Sequence, residues 1–236
     1  MEEAFIYSSN IASAKMAMDM GVPAHRAFLK KLGLLDPVVT ELGPSAAPII
    51  PKRWKKLNTM TIAFGHGLSV TPLQLATATV PLVNGGLAVP PTFLPRTREE
   101  ALAVSTRVLK PGTSSAVVKL MRENVLRGSG KRANAEGYRV GGKTGTAEKV
   151  VNGRYARHSL LNSFLSVFPT DDPQYVVLVT LDEPQRVEAT NYKSTAGVNA
   201  APTVGKVVAR IAPILGVTPK LGETASRFDA KRSATY

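Results

Sequence analysis

The chain has 236 residues, of which 44% are hydrophobic and 20% are charged, a balance typical of one or two globular domains and not of disordered or fibrous chains. It contains no cysteine, which excludes disulfides, thiolate metal sites and cysteine nucleophiles. Thirty Lys and Arg against 17 Asp and Glu give a net charge of +13, which by itself fits a nucleic acid, an anionic membrane surface or an acidic small substrate.

Helix signals dominate the first part of the chain. Ser8-Ser9-Asn10 precede small and apolar residues at helical spacing, and Gly21 follows them, which predicts a helix with a Ser-x-Asn segment at its entrance. A second short helix is expected between Pro23 and Gly33. The Pro-rich stretch 36–51 is then expected to form a surface loop.

Two longer helices are predicted in the middle of the chain. Thr71-Pro72-Leu73-Gln74 combines an N-cap, a proline at the first helical position and a capping-box glutamine, which predicts a helix toward Asn84. Pro81 should kink that helix or end it early. Apolar residues at helical spacing predict a further helix over 114–126, and the Gly-rich stretch 127–132 after it reads as a loop.

The last third of the chain predicts strands and a final helix. Three β-type segments follow one another, Tyr138 to Val151, Asn162 to Phe168 and Tyr175 to Leu181, with a turn near Asn152-Gly153. They predict consecutive antiparallel strands, and 203–215 predicts a closing helix. This order favours an α+β domain over residues 1–217, and the polar tail 218–236 is expected to be disordered.

The densest chemical signal, Gly141 to Ala147, can be interpreted in two incompatible ways. Gly137 to Thr144 fits the phosphate-binding P-loop pattern, and Asp182-Glu183 after an apolar segment would complete an ATPase. A P-loop must follow a buried strand and open a helix. The residues before Gly137 are too polar for such a strand, and those after Thr144 favour a hairpin, so this interpretation is kept only as an alternative.

The other interpretation takes Lys143-Thr144-Gly145-Thr146 as a strand motif that acts together with Ser8-x-Asn10. These are two of the three elements of penicillin-recognising serine enzymes, the third being Ser-x-x-Lys. In several ordered segments the chain resembles the class B penicillin-binding proteins, most closely the septal cell-division transpeptidases. The matching segments are residues 7–10, 51–54, 64–76, 142–147, 162–169 and 175–184.

This resemblance implies a penicillin-binding-protein and β-lactamase-like fold, in which helices flank an antiparallel sheet, and a serine-type peptidoglycan D,D-transpeptidase. Ser8 would relay protons, Asn10 would hydrogen-bond the substrate amide, and Lys143 would supply positive potential beside Ser8. The expected partners are a D-Ala-D-Ala stem peptide, β-lactams and, through a full-length parent, divisome proteins. The resemblance implies no cofactor and no metal.

The same resemblance assigns substrate binding to the strand motif. The hydroxyls of Thr144 and Thr146 would hold the terminal carboxylate of the substrate, and the backbone N–H of Thr146 would be one oxyanion donor. Gly145 makes physical sense between them, because a side chain there would crowd a substrate lying along the strand.

The third element is missing, because no serine in the 236 residues is followed three places later by lysine. Family members carry the nucleophile upstream of the Ser-x-Asn motif, so the chain is expected to be a carboxy-terminal portion, incomplete at its N-terminus and inactive alone. Its opening residues lack a signal-peptide pattern, and it has no run of about 18 apolar residues. The full-length parent is expected at the periplasmic face of the inner membrane.

A further alternative is that the chain is a basic module that binds nucleic acid or a membrane surface. The segment Lys52-Arg53-Trp54-Lys55-Lys56 interleaves charge with an aromatic residue, as such a surface does. The other basic residues are dispersed, so a charged rim around an anion-binding cleft explains them equally well. The preferred interpretation therefore involves no nucleic acid.

Overall fold

A computed structural model describes residues 1–151 and 154–221, which form a mixed α+β structure. In chain order the helices and strands are α1 (Glu2–Ile6), α2 (Asn10–Met20), α3 (Val22–Lys31), β1 (Val39–Thr40), β2 (Gly43–Pro44), α4 (Lys56–Ile62), α5 (Pro72–Val83), β3 (Leu87–Ala88), α6 (Arg98–Ala103), β4 (Thr106–Arg107), α7 (Pro111–Arg127), β5 (Gly141–Val151), β6 (Arg154–Phe168), β7 (Tyr175–Asp182) and α8 (Ala200–Ile214). The long helices and the three consecutive antiparallel strands expected from the sequence are confirmed.

Strands β5, β6 and β7 form one antiparallel sheet in that order. Lys143 pairs with Leu165 and Gly145 pairs with Ser163, so β5 lies along one edge of the described sheet with its motif beside the centre of β6. The pairing shifts by a bulge between Glu148 and Lys149. An edge strand leaves one side of its backbone open to a ligand.

The two faces of the sheet carry different residues of β6, because successive side chains of a strand point to opposite faces. Phe164 and Phe168 are fully buried in a cluster with residues of α8. Val167 is fully buried on the other face, where it packs with Met121 of α7 and Val83 of α5. Burial on both faces fixes the register of β6 and hence the position of β5.

Helix α5 differs from its prediction in two details. Thr71 caps the helix by accepting a hydrogen bond from the Gln74 backbone N–H at 3.1 Å, as expected. The Gln74 side chain does not close a capping box, because it is fully buried and donates to the carbonyls of Gly33 at 2.9 Å and Asp36 at 2.7 Å. Pro81 lies inside the helix, which continues to Val83, so the expectation of an early end is wrong.

Several short elements were not predicted, namely α1, α4, α6 and the small β1–β2 and β3–β4 pairs, each of seven residues or fewer, and the first of these pairs lies inside the expected loop 36–51. The predicted turn at Asn152-Gly153 lies outside the described residues, and so does the tail beyond residue 221. Among the described helices, none has both the length and the apolar content needed to cross a membrane.

Candidate active site

The backbone at Ser8 has an unusual conformation that follows from how α1 ends. The Ser8 N–H donates to the Phe5 carbonyl at 3.2 Å and the Ser9 N–H donates to the Ala4 carbonyl at 2.9 Å, which closes the last turn. Ser8 has a φ of 56°, in the left-handed region where helix ends usually carry glycine. A serine there costs about 1 kcal/mol, and such strain concentrates at functional sites.

Ser9, between the two residues of the Ser-x-Asn motif, caps the next helix. Its hydroxyl accepts from the Ala12 N–H at 3.2 Å, and α2 begins at Asn10. Ser8 and Asn10 are therefore not needed as caps, and both residues are exposed. The described contacts include no hydrogen bond from the Asn10 side chain to β5.

Lys143 of β5 reaches the turn that holds Ser8. Its Nζ donates to Ser8 Oγ at 2.7 Å and to the Thr144 carbonyl at 3.2 Å, and it lies 5.9 Å from the centre of the Phe5 ring. Burial lowers the pKa of Lys143 to about 8, from an ordinary value of 10.5. Lys143 therefore remains mostly charged at neutral pH but is placed to exchange a proton near that pH.

Thr144 and Thr146 lie on the other face of β5. Thr144 Oγ1 is 2.8 Å from Ser129 Oγ, on the loop after α7, and 3.5 Å from Lys143 Nζ. Thr146 Oγ1 accepts from the Ala196 N–H at 3.0 Å, in the loop before α8. That bond uses a lone pair of the Thr146 hydroxyl and leaves its hydrogen available to an anion.

These hydroxyls line a cavity of about 390 Å³. Its cationic lining residues are Lys131, Arg132 and Lys193. A carboxylate in the cavity would meet hydroxyl donors and positive charge together, which is the donor set for binding that anion. A larger cleft of about 1040 Å³ lies along α7 and shares no lining residue with this cavity.

Gly145 has space beside it, whereas Gly142 does not. A Cβ on Gly145 would come no closer than 3.9 Å to Ser163, an ordinary contact. A Cβ on Gly142 would lie 2.4 Å from the Phe164 ring. Internal packing therefore explains the glycine at 142 and gives no reason for the one at 145.

The P-loop interpretation is wrong. β5 begins at Gly141, so Lys143 projects from a strand and not from the N-terminal turn of a helix. The side chains of Asp182 and Glu183 contact Lys149 at 2.8 and 3.0 Å and not the Gly137 to Thr144 segment.

The aromatic residue of the basic segment has structural partners. Trp54 Nε1 donates to the buried Thr59 hydroxyl at 2.9 Å, and its ring contacts His25 edge-on and lies 5.7 Å from the Arg26 guanidinium. It therefore holds α3 against α4, and the structure gives no support to a role in stacking on bases. Within residues 1–151 and 154–221, no cluster of three or more His, Asp or Glu residues could hold a metal ion.

Two residues of the site were not predicted. Asn124 of α7 is fully buried and donates to the Gly142 carbonyl at 2.8 Å, and Ser129 contacts Thr144. The only sequence signal was the Gly-Ser-Gly at 128–130, which was interpreted as a loop. Contacts between residues far apart in sequence are not visible in local patterns.

Comparisons with known proteins identify the family of this chain. The family described as "Penicillin binding protein transpeptidase domain" matches residues 1–208. The chain is 41% identical over 230 residues to "Probable peptidoglycan D,D-transpeptidase FtsI" of Caulobacter vibrioides, covering 92% of this chain and 38% of that protein. It is 34% identical over 177 residues to "Stage V sporulation protein D" of Bacillus subtilis, covering 71% of this chain and 27% of that protein.

A solved structure shows the same fold. The transpeptidase domain of penicillin-binding protein 3 from Burkholderia pseudomallei superposes with a TM-score of 0.80 at 30% identity, covering 91% of this chain and 64% of that chain. The 236 residues therefore span less than two thirds of that structure and less than half of either relative.

Proposed function

Since the chain belongs to the penicillin-binding protein transpeptidase domain family, we propose that the cavity lined by Thr144 and Thr146 binds the D-alanyl-D-alanine end of a peptidoglycan stem peptide for serine-type acyl transfer. The observation that carries this proposal is the 2.7 Å hydrogen bond from Lys143 Nζ to Ser8 Oγ, between two motifs separated by 135 residues. The class B relatives support peptidoglycan as the substrate class.

In this proposal the terminal carboxylate of the peptide lies against the hydroxyls of Thr144 and Thr146. Thr146 donates its hydroxyl hydrogen, and the Lys143 ammonium contributes positive potential from the opposite face of β5. A charge-assisted hydrogen bond contributes about 1.5–3 kcal/mol, or roughly 10- to 100-fold in affinity. Gly145 leaves room for the peptide along the strand, because no side chain projects there.

Ser8 and Lys143 form the proton-relay pair of the proposed site. A lysine with a pKa of about 8 is charged when it attracts the carboxylate, yet it releases a proton more readily than an ordinary lysine. The adjacent Ser8 hydroxyl can carry that proton toward a leaving amine. Asn10 would hydrogen-bond the substrate amide, and the Thr146 N–H would be one oxyanion donor.

The 236 residues supply recognition and proton-transfer groups but not the acylated serine of Ser-x-x-Lys. We therefore expect no covalent adduct when the chain is incubated with a β-lactam, as measured by intact mass on folded protein. An added mass equal to one drug molecule would contradict this part of the proposal.

Non-covalent recognition is tested by NMR titration of the whole chain with an N-acylated D-Ala-D-Ala peptide and with its C-terminal carboxamide. The carboxylate peptide should bind at least about tenfold more tightly than the amide. Lys143→Met should abolish the difference, whereas the matched charge change Lys119→Met, on the exposed face of α7, should not. Equal affinity of the two peptides for the unmodified chain would contradict the proposed function.

The proposal extends to the setting of the reaction. The substrate class requires the periplasmic face of the inner membrane, where peptidoglycan is cross-linked, and the resemblance to septal transpeptidases favours divisome proteins as partners. A tagged chromosomal copy of the full-length parent should concentrate at the division site. Uniform cytoplasmic fluorescence would contradict this setting.

A further inference from the structure

Asn124 carries a fully buried side-chain amide near the C-terminal end of α7, and this amide contacts both β5 and the loop after α7. Its Nδ2 donates to the Gly142 carbonyl at 2.8 Å, one residue before Lys143. Its Oδ1 accepts from the Ser129 hydroxyl at 3.1 Å. A buried amide satisfied in this way resists rearrangement, because breaking either bond leaves a buried polar group without a partner.

The loop after α7 approaches this amide closely because it carries glycine on either side of Ser129. A Cβ on Gly128 would lie 2.4 Å from Asn124 Oδ1, and one on Gly130 would lie 2.9 Å from Asn124 Nδ2. The Ser129 N–H also donates to the Ile6 carbonyl at 3.3 Å, two residues before Ser8. The loop therefore connects the Ser8 turn with β5.

The direction of the hydrogen bonds follows from the inventory of donors. Because the Gly142 carbonyl can only accept, the Asn124 amide must present Nδ2 to it and Oδ1 to Ser129. Ser129 has a single hydroxyl hydrogen and gives it to Asn124. The 2.8 Å contact between Ser129 Oγ and Thr144 Oγ1 must then be donated by Thr144.

We propose that Asn124 and Ser129 are positioning residues that fix the rotamer of Thr144 by holding its hydroxyl hydrogen, so that a carboxylate in the cavity meets Thr146 as the free hydroxyl donor. The inference deepens the proposed function and rests on it for its consequence in binding. Thr146 does not depend on this chain of bonds, because its hydroxyl is held by the Ala196 N–H. Releasing the Thr144 hydrogen to a carboxylate breaks its bond to Ser129, which costs about 0.5–1.5 kcal/mol, or roughly two- to tenfold in affinity.

The first test needs no ligand. Three-bond couplings to the methyl carbons of Thr144 and Thr146 report their χ1 rotamers in the whole chain. Ser129→Ala should average the rotamer of Thr144 and leave Thr146 unchanged, and Ser129→Thr, which keeps the hydroxyl, should restore a single Thr144 rotamer. A single unchanged rotamer of Thr144 in Ser129→Ala would overturn the proposal.

The second test uses the carboxylate and carboxamide peptides. Ser129→Ala frees the Thr144 hydrogen and should increase the preference for the carboxylate about two- to tenfold, and Ser129→Thr should leave it unchanged. The control Ser115→Ala removes an exposed hydroxyl from α7, away from the cavity, and should change nothing. An unchanged preference in Ser129→Ala would refute positioning, because a purely structural bond would alter stability and not selectivity.

The tests separate this inference from the proposed function. If the unmodified chain shows no preference for the carboxylate, the proposed function fails, and the rotamers of Thr144 still decide whether Asn124 and Ser129 position it. Asn124→Ala should average the Thr144 rotamer in the same way at a larger cost in stability. If that variant does not fold, the Ser129 variants decide the question alone.

Discussion

The first two residues of β5 lie in packed core, whereas the next four belong to the candidate site, where Lys143 contacts Ser8 and the two threonines line the cavity. A Cβ on Gly141 would lie 2.7 Å from Thr170, and one on Gly142 would lie 2.4 Å from Phe164, but one on Gly145 would meet nothing closer than 3.9 Å. The glycines of one short motif are therefore present for different reasons. The first two allow close packing, and the proposed function assigns to the third the task of keeping a binding surface clear.

The same contrast holds for free energy. The core between the sheet and α8 is made of apolar side chains such as Phe164 and Val204, which are fully buried. The candidate site contains a serine in a left-handed conformation, Ser8, and a lysine whose charged form is disfavoured by burial, Lys143. Burial of apolar side chains in the core stabilises the fold, whereas the strained serine and the desolvated lysine of the site destabilise it, as groups at functional sites commonly do.

The largest effect is expected from the core. Phe164→Ala removes a fully buried ring that lies beneath Gly142 and should lower the free energy of unfolding by about 3–5 kcal/mol, measured by chemical denaturation. Phe93→Ala is the matched control, because Phe93 is 62% exposed and should cost less than about 0.5 kcal/mol. Equal losses of unfolding free energy in the two variants would contradict the assignment of Phe164 to the core and of Phe93 to the surface.

Lys143 should make stability depend on pH. Because the pKa of Lys143 is about 8 in the folded chain and 10.5 otherwise, the unfolded chain binds more protons between those values, and the free energy of unfolding should rise with pH across that window. The total rise attributable to this group is on the order of 3 kcal/mol. Lys143→Met should be more stable at pH 7, and the difference from the unmodified chain should vanish near pH 10.5.

The glycines of β5 give a more selective comparison. Gly142→Ala should lower the free energy of unfolding by about 1–3 kcal/mol, because its methyl group would overlap Phe164 and the Leu165 carbonyl. Gly145→Ala should leave stability within about 0.5 kcal/mol but weaken binding of the D-Ala-D-Ala peptide. Thermal unfolding with peptide titration measures both, and loss of stability without loss of binding at position 145 would contradict the account.

The smallest effect is expected at Ser8. Ser8→Gly relieves about 1 kcal/mol of strain, because glycine adopts a φ near 56° freely, but it also removes a hydrogen bond from the Lys143 ammonium, so the free energy of unfolding should change by less than about 1 kcal/mol. The same change removes the hydroxyl that accepts from Lys143, so any proton relay is lost. Ser9→Ala is the neighbouring control and should instead lower stability by about 1 kcal/mol, since it removes the cap of α2.

Much of the fold follows from local patterns. Alternating apolar residues predicted β6 and β7, and Thr71-Pro72 predicted the start of α5. The capping-box role predicted for Gln74 is wrong because its side-chain amide donates instead to two backbone carbonyls in the loop after α3. Helices of five to seven residues, such as α1 and α4, have too few turns to show a period.

The site divides in the same way. Ser8 and Lys143 were predictable as partners only because the chain resembles a family in which these two motifs share one site, and the structure brings the two side chains into contact. Asn124 and Ser129 could not be predicted, because their contacts with Gly142 and Thr144 depend on how α7 packs beside β5. The left-handed backbone of Ser8 also could not be predicted, because the residue in that conformation at a helix end is usually glycine.

The most direct test of the account is the pKa of Lys143, measured by NMR of its side chain in the whole chain with and without the acylated D-Ala-D-Ala peptide. We predict a value of about 8 in the free protein, which rises when the carboxylate peptide binds and does not rise with the carboxamide. An ordinary value near 10.5 that neither peptide changes would contradict the claim that this cleft pairs a buried lysine with a substrate carboxylate.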